Sequence, residues 1–267
     1  MSSDNKGFWE RQSKNYNTAF EQTEPYVKYL EKTERRRLFQ VLDVHPEMTV
    51  LDLGCGTGRW AFEFAQRCQK VVAVDFAEGM IERTRREAEK RGFRNMDFHV
   101  APVQEFITHD RFDLIIISGV LVYFEDDELS SVIPNIKSLL TSDGKIVSRE
   151  TVGIAKRLDF QQEHQKIGEE YAAAYRTAEE LKKMFEASGL SRRFAGDFAP
   201  VNFPMIFYRK FIPGSLKNTR SVLAILNFLL KIQLLFDPIL LRFPVLYRPI
   251  LHKFWKIKSM LFVYGID

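Results

Sequence analysis

The stretch that decides the fold of this chain is VLDLGCGTG, residues 50–58. A short, mainly apolar strand leads into a loop with glycine at every second position, and a helix-like run over residues 59–68 follows. Glycine lacks a Cβ, so such a loop can turn sharply and bring backbone N–H groups against a ligand. A dinucleotide fingerprint would need its third glycine where this chain has Arg59, so the spacing points away from that class.

A second apolar segment, residues 71–74, ends in Asp75, seventeen residues beyond Gly58. An acidic residue at the tip of the second strand is placed to accept hydrogen bonds from ribose hydroxyls. Asp75 could also cap a helix beginning near Ala77. With glycines at 54, 56 and 58, this arrangement resembles the class I S-adenosylmethionine (SAM)-dependent methyltransferases.

Strand-like and helix-like segments alternate after residue 48, which favours a doubly wound α/β sheet with ligands beyond the carboxyl ends of its strands. The predicted strands are 49–53, 70–75, 96–100, 112–118 and 144–150, and the predicted helices are 59–68, 77–91 and 126–140. A capping box at Thr177–Glu180 opens another helix. Two further strands, 190–198 and 203–211, are expected to form an antiparallel pair. The resemblance implies a seven-stranded Rossmann-like methyltransferase sheet.

These patterns suggest a division of the chain into three parts. Residues 1–44 are expected to form an N-terminal helical cap, residues 45–212 the SAM-binding domain, and residues 213–267 an apolar and basic C-terminal extension. Residues 151–176 fall where the family commonly inserts a substrate lid.

The resemblance also implies where the cofactor is held. Asp52 and the loop Gly54–Gly58 would lie near its methionine portion, and Asp75 near its ribose. Many relatives carry an acid at the position of Pro102, so the backbone of Val103 and the side chain of Gln104 are expected to meet the adenine instead. Gln104 could also simply begin a surface helix. The full set of expected cofactor residues is Asp52, Gly54, Cys55, Gly56, Gly58, Asp75, Phe76, Val103, Gln104, Ser118 and Tyr16. Trp9 could close over the cofactor in the same way as Tyr16, with core packing as the alternative for both.

The residues at the end of the fourth predicted strand narrow the range of molecules that could accept the methyl group. The segment Ser118–Phe124 lacks the Pro-Pro-aromatic sequence of enzymes that methylate nucleobase amines, and it contains no cysteine for attack on a pyrimidine ring. Ser118 replaces the acid that metal-dependent catechol-type relatives place there, so no metal site is expected. Small molecules, lipids and proteins remain as acceptors.

Methyl transfer to a hydroxyl or ammonium acceptor can use a general base. The candidates are Glu150 at the end of the fifth strand, Tyr123, and two residues of the expected lid, His164 and Tyr175. Arg149 could pair elsewhere and leave Glu150 structural, and His164 lies in a polar stretch typical of a surface histidine.

The net charge of +4 is concentrated at the C-terminal end. From Pro213 onward, eight Lys and Arg residues accompany two acids, a net charge of +6 that leaves −2 for residues 1–212. The body therefore lacks the basic excess typical of nucleic-acid binding, and no nucleic-acid partner is expected. Two cysteines, Cys55 and Cys68, and a polar N-terminus without the apolar core of a signal peptide favour a reduced, cytoplasmic setting.

Residues 221–241 contain fifteen apolar residues of twenty-one, interrupted by Lys231 and the pair Asp237-Pro238. Aromatic and basic residues interleave with aliphatic ones beyond it, which favours association with a membrane interface through residues 213–267. A helical cap, a dimer contact, or a re-entrant hairpin turning at Asp237-Pro238 are the alternatives.

Taken together, the sequence predicts a SAM-dependent methyltransferase acting on a small-molecule or lipid-like acceptor by in-line displacement. Its expected location is the cytoplasm, at the inner face of a membrane if the extension binds lipid. A protein or RNA methyltransferase, or a non-catalytic SAM-binding scaffold, are the alternatives. The sequence leaves the oligomeric state open.

Overall fold

The computed structural model describes residues 7, 9, 10, 24–164, 169–198, 204, 207, 208, 211–217, 219–243 and 257–266. Its strands are β1 (Thr49–Leu53), β2 (Lys70–Asp75), β3 (Met96–Val100), β4 (Phe112–Ser118), β5 (Leu140–Gly153), β6 (Leu158–His164), β7 (Glu169–Tyr175), β8 (Leu190–Asp197) and β9 (Ile257–Ile266). Its longer helices are α1 (Glu24–Val41), α2 (Arg59–Ala65), α3 (Glu78–Lys90), α4 (Asp126–Ser138), α5 (Ala178–Ala187) and α6 (Arg220–Arg242). Two short 3₁₀ turns cover Val103–Glu105 and Leu121–Tyr123.

The chain forms two units, of which the first contains residues 44–196 and 257–266. Seven strands of this unit make one mixed sheet in the order β3-β2-β1-β4-β5-β9-β8. Strands β1 to β5 run parallel, so Leu53, Asp75 and Ser118 end at the same edge of the sheet. Ile115, Ile116 and Ile117 of β4 are each fully buried, as expected of a parallel strand covered on both faces. The predicted α/β sheet is confirmed.

The terminal hairpin predicted for this sheet is wrong. Its first strand forms as β8, but residues 204, 207, 208 and 211 have helical backbone rather than strand. The seventh strand is instead β9, which pairs antiparallel with β5 from Gly265 opposite Lys145 to Ile257 opposite Gly153. Its central residues, Met260–Tyr264, form one continuous buried apolar run. The last part of the predicted 213–267 extension therefore belongs to the sheet.

The predicted lid, residues 151–176, contains a separate two-stranded antiparallel sheet made by β6 and β7. Leu158 pairs with Tyr175 at its base, and His164 pairs with Glu169 at its tip. Helix α5 follows, and both hydrogen bonds of its capping box are present between Thr177 and Glu180. The capping box is confirmed, and the covering role of the β6–β7 arm stays a prediction.

The second unit pairs α1 with α6. Tyr29, Tyr208, Leu226 and Leu230 form its buried apolar cluster. Helix α6 continues through Pro238, so the alternative of a hairpin that turns at Asp237-Pro238 is wrong. Helical structure predicted within residues 1–44 is confirmed over α1.

Candidate functional site

An open cavity lies at the carboxyl ends of β1, β2 and β4, the edge at which ligands bind in parallel α/β sheets. Loops that follow four strands of the sheet build most of its wall. The lining residues are Trp9, Gly54, Gly56, Asp75, Phe76, Met80, Pro102, Val103, Gln104, Ser118, Gly119, Val120, Tyr123 and Phe124. Seven of the expected cofactor residues line this cavity together, and their contact with the cofactor stays a prediction: Gly54, Gly56, Asp75, Phe76, Val103, Gln104 and Ser118.

The glycine loop between β1 and α2 has three residues in the left-handed region, with φ of 72° at Gly54, 53° at Gly56 and 79° at Gly58. A Cβ on Gly54 would lie 2.4 Å from Cγ2 of Val120, and one on Gly58 would lie 2.4 Å from Cγ2 of Thr84. These two glycines are required by packing. A Cβ on Gly56 would meet nothing within 4 Å, so this glycine leaves open space at the cavity wall.

Asp75 fixes the glycine loop at the tip of β2. Its Oδ2 accepts a hydrogen bond from the Gly56 N–H at 2.8 Å, and its Oδ1 accepts one from the Ala77 N–H at 2.9 Å. The hydroxyl of Thr84 also donates to the carbonyl oxygen of Gly56, at 2.9 Å. Burial raises the pKa of Asp75 above its ordinary range. The carboxylate therefore both shapes the loop and contributes to the cavity wall.

Three other expected cofactor residues do not line the cavity. Asp52 is 1% exposed, and burial raises its pKa to about 7. Cys55 is buried inside the loop, and Gly58 caps the amino end of α2. Asp52 lies in β1, and Cys55 and Gly58 lie in the loop that follows it. Tyr16 lies outside the described residues.

The candidate catalytic residues are separated by the structure. Tyr123 lies in the 3₁₀ turn after β4, lines the cavity, and meets Trp9 edge-to-face with ring centroids 5.7 Å apart. Glu150 is 1% exposed and does not line the cavity. The backbone of His164 ends β6, and its side chain lies outside the described part of the chain.

Glu150 instead holds the loop that carries Tyr123. Its Oε1 accepts hydrogen bonds from the backbone N–H groups of Val120 and Leu121, both at 3.4 Å. Burial raises its pKa to about 7, an effect opposed by the Leu121 N–H and the guanidinium of Arg149. The geometry gives Glu150 a positioning role, and its part as a general base stays a prediction.

Arg176, which the sequence analysis did not single out, holds the same loop from the other side. This side chain is 1% exposed and donates to the carbonyl oxygens of Leu121 at 3.1 Å and Phe124 at 2.6 Å, and to Asp126 at 2.7 Å. It directly follows β7, so it connects the base of the β6–β7 arm to the cavity wall. A lone arginine after a strand gives no sequence signal for such a role.

The buried carboxyl of Glu150 makes stability depend on pH. Its pKa in the folded state, about 7, exceeds its ordinary value of 4.5, so the fold favours the protonated form. The stabilisation is complete below pH 4.5 and is lost as pH rises toward 7, by up to about 3 kcal/mol. The Glu150→Gln variant carries no charge at this position. Its melting temperature should therefore rise relative to that of the wild type as the pH is raised from 4.5 to 7, which thermal denaturation at several pH values measures. The titration of Asp52 affects both proteins equally, so it cancels from the difference between their melting temperatures. A difference that stays constant with pH would therefore contradict the assignment of this pH dependence to Glu150.

Comparison with known proteins follows the same region of the chain. A family model described as Methyltransferase domain matches residues 44–189, more than half of the chain. Phosphoethanolamine N-methyltransferase 1 of Triticum aestivum is 30% identical over 149 residues, which cover 55% of this chain and 30% of that protein. Nodulation protein S of Rhizobium tropici is 31% identical over 119 residues, which cover 43% of this chain and 49% of that protein. The chain thus matches less than half the length of either relative.

Among solved structures, phosphoethanolamine N-methyltransferase 1 of Haemonchus contortus, in complex with phosphoethanolamine and S-adenosylhomocysteine, aligns with a TM-score of 0.63. The alignment covers 100% of this chain and 50% of that chain at 16% identity. At this identity the likeness concerns the fold.

Proposed function

Since this chain belongs to the methyltransferase domain family, we propose that it is a SAM-dependent methyltransferase that methylates an amine nitrogen of a small or lipid-like acceptor. The observation that carries the proposal is the aromatic pair of Trp9 and Tyr123 on the cavity wall. The relatives named above include N-methyltransferases, which supports nitrogen as the methylated atom.

The cofactor of the proposed reaction is SAM, and the cavity residues fit it. Gly56 leaves the wall open where any side chain would intrude, and Asp75 lies beside it at the position expected for ribose recognition. The side-chain oxygen of Gln104 is buried and accepts no hydrogen bond from the described residues, which suits the amino group of adenine. When bound, SAM would supply a methyl group attached to a sulfonium sulfur. That sulfur is a good leaving group in an in-line displacement of the methyl group.

The aromatic wall suits an acceptor that carries an amine. The rings of Trp9 and Tyr123 meet at an interplanar angle of 74°, and Phe76 and Phe124 line the same cavity. Aromatic faces attract ammonium groups, and the attraction grows when water is excluded. No Lys or Arg is found among the described residues that line the cavity, so the phosphate backbone of RNA would meet no compensating charge there.

An amine must be in its neutral form to attack a methyl group. Asp75 and Tyr123 are the titratable side chains among the described cavity residues, and both oxygens of Asp75 already accept backbone N–H groups. We therefore assign the hydroxyl of Tyr123 to orient the acceptor nitrogen and accept its hydrogen bond. Positioning the acceptor in line supplies most of the acceleration.

A transfer assay with radiolabelled-methyl SAM tests the acceptor class. Ethanolamine and phosphoethanolamine represent small amines, vesicles of phosphatidylethanolamine represent a lipid-like amine, and the corresponding alcohols serve as matched controls. We expect label in an amine arm and not in its alcohol counterpart. Label confined to alcohols, protein or RNA would contradict the proposal.

Substitutions at Tyr123 separate the ring from its hydroxyl. Tyr123→Ala should raise the KM for the amine about tenfold through the lost cation–π contact and also lower kcat. Tyr123→Phe keeps the ring, so its KM should stay near wild type while kcat falls by roughly 100-fold. Steady-state kinetics with saturating SAM measures both. A wild-type kcat in Tyr123→Phe would remove the hydroxyl from the proposed role.

A further inference from the structure

Helix α6 buries two polar side chains and leaves several large apolar side chains exposed. Gln233 and Asp237 are buried together with Leu226 and Leu230. The exposed side carries five large apolar residues that are each more than half exposed, with Leu235 at 73%: Ile225, Phe228, Leu235, Phe236 and Ile239. Phe243, directly after the helix, is half exposed. A helix of a water-soluble surface would show the opposite arrangement. Contiguous exposed apolar side chains of this kind mark an interaction surface.

Hydrogen bonds to α1 fix the orientation of α6 about its own axis. Thr33 donates to Oδ2 of Asp237 at 3.1 Å, and Gln233 donates to the hydroxyl of Tyr29 at 3.1 Å. Arg36 donates to the carbonyl oxygen of Leu234 at 3.0 Å. Rotating α6 to bury its apolar side would break these bonds and leave buried polar groups unpaired, which is costly. The apolar side is therefore a fixed outer surface of the second unit.

A line of basic residues borders this apolar side. Arg220, Lys231 and Arg242 are exposed and are spaced eleven residues apart, which is about three helical turns, so they follow one line along the helix. Asp237 is the sole acid of α6, and it is buried against α1. The outer surface thus combines an apolar face with positive charge along its border.

We propose that α6 lies in the plane of an anionic lipid bilayer, with Phe228 and Leu235 buried among the acyl chains and the basic line against the headgroups. An apolar face flanked by Lys and Arg is the pattern by which interfacial helices bind such membranes. The inference rests on the proposed function to the extent that this surface would bring the enzyme to a lipid-like acceptor.

Two other arrangements fit the surface less well. Helix α6 is long and apolar enough to cross a membrane by length and composition. A spanning orientation would, however, place Lys231 and the polar contacts with α1 near the bilayer centre, where such groups are costly. A second copy of the chain seated on the same face would leave the basic line along its border without an anionic partner, which an anionic surface supplies.

Co-sedimentation of the full chain with vesicles tests the proposal without SAM or acceptor present. Vesicles of phosphatidylcholine alone are compared with vesicles that also contain phosphatidylglycerol, at low and high salt. We expect binding to the anionic vesicles that weakens as salt rises. Lys231→Gln should weaken that binding about fivefold and leave the melting temperature unchanged.

The apolar face is tested by Phe228→Glu and Leu235→Glu, each expected to reduce binding at least tenfold while the protein stays folded. Ile107→Glu is the matched control, because Ile107 is 88% exposed and lies in the first unit, away from α6 in the chain. This variant should bind the vesicles as the wild type does. Equal pelleting of the wild type and these three variants with anionic vesicles would overturn the proposal. So would a wild-type dimer in solution that Phe228→Glu dissociates while no protein pellets with vesicles. Vesicle binding without amine methylation would support this inference and contradict the proposed acceptor alone.

Discussion

Gly56→Ala is expected to lower the affinity for SAM roughly 100-fold, the cost of forcing an extra methyl group into a filled site. The added Cβ would meet no protein atom within 4 Å, because it would point into the open space of the cavity. Its φ of 53° adds strain of about 1–2 kcal/mol to the folded state. Calorimetric titration with SAM measures the affinity, and thermal denaturation measures the strain.

Gly92→Ala is the matched control for this substitution. Gly92 also has a positive φ, 78°, and a Cβ there would also meet nothing within 4 Å, but Gly92 does not line the cavity. Both variants should lose similar stability, and Gly56→Ala alone should lose SAM. Equal affinity in the two variants would show that the cofactor does not occupy the space beside Gly56.

Asp75→Ala is expected to reduce SAM affinity by more than roughly 100-fold. The substitution leaves the N–H groups of Gly56 and Ala77 without their carboxylate acceptor, and hydrogen bonds to a charged group contribute about 1.5–3 kcal/mol each. It also removes the carboxylate expected to meet the ribose. Asp75→Asn retains one acceptor oxygen, so its affinity should lie between those of the alanine variant and wild type. Titration with SAM measures all three.

Asp113→Ala provides the control for losing a carboxylate that holds backbone. Asp113 accepts hydrogen bonds from the N–H and the hydroxyl of Thr49, at 2.8 and 3.0 Å. It lies near the amino end of β4, whereas the cavity lies at the carboxyl ends of the strands. Its loss should lower the melting temperature and leave SAM binding unchanged. Similar SAM affinity in the Asp75 and Asp113 variants would contradict the role of Asp75.

Local sequence patterns were enough to predict most of the first unit and the position of its cavity. The apolar runs of β1, β2 and β4 predicted parallel strands because such strands are buried on both faces. Their carboxyl ends necessarily share one edge, so Gly56, Asp75 and Ser118 could be placed together before the structure was known. Glycine spacing was decisive here because all three glycines of the loop have a positive φ, and Gly54 and Gly58 also leave no room for a Cβ.

The seventh strand could not be predicted in the same way. Residues 203–211 and 257–266 both have strand-like composition, and nothing in a local pattern states which of them pairs with β5. That choice depends on contacts between Met260–Tyr264 and a strand more than a hundred positions away. The nearby excess of positive charge also made the end of the chain appear to be one extension.

The contribution of Arg176 to the site was equally beyond the sequence, and for Trp9 the sequence left closure over the cofactor and core packing as two open alternatives. Trp9 lines the cavity from a segment far from the glycine loop, and Arg176 reaches backbone carbonyls of the loop after β4. Contacts to backbone carbonyls leave no complementary residue in the sequence to recognise. In α6, Gln233 and Asp237 likewise gain meaning only from their partners on α1.

The most direct test of the central claim is equilibrium titration of the full chain with SAM, followed by competition with S-adenosylhomocysteine and with NAD. We expect one SAM to bind per chain, displaced by S-adenosylhomocysteine and unaffected by NAD, because Arg59 stands where a dinucleotide site requires glycine. Absence of SAM binding, or its displacement by NAD, would contradict the assignment of this cavity to SAM.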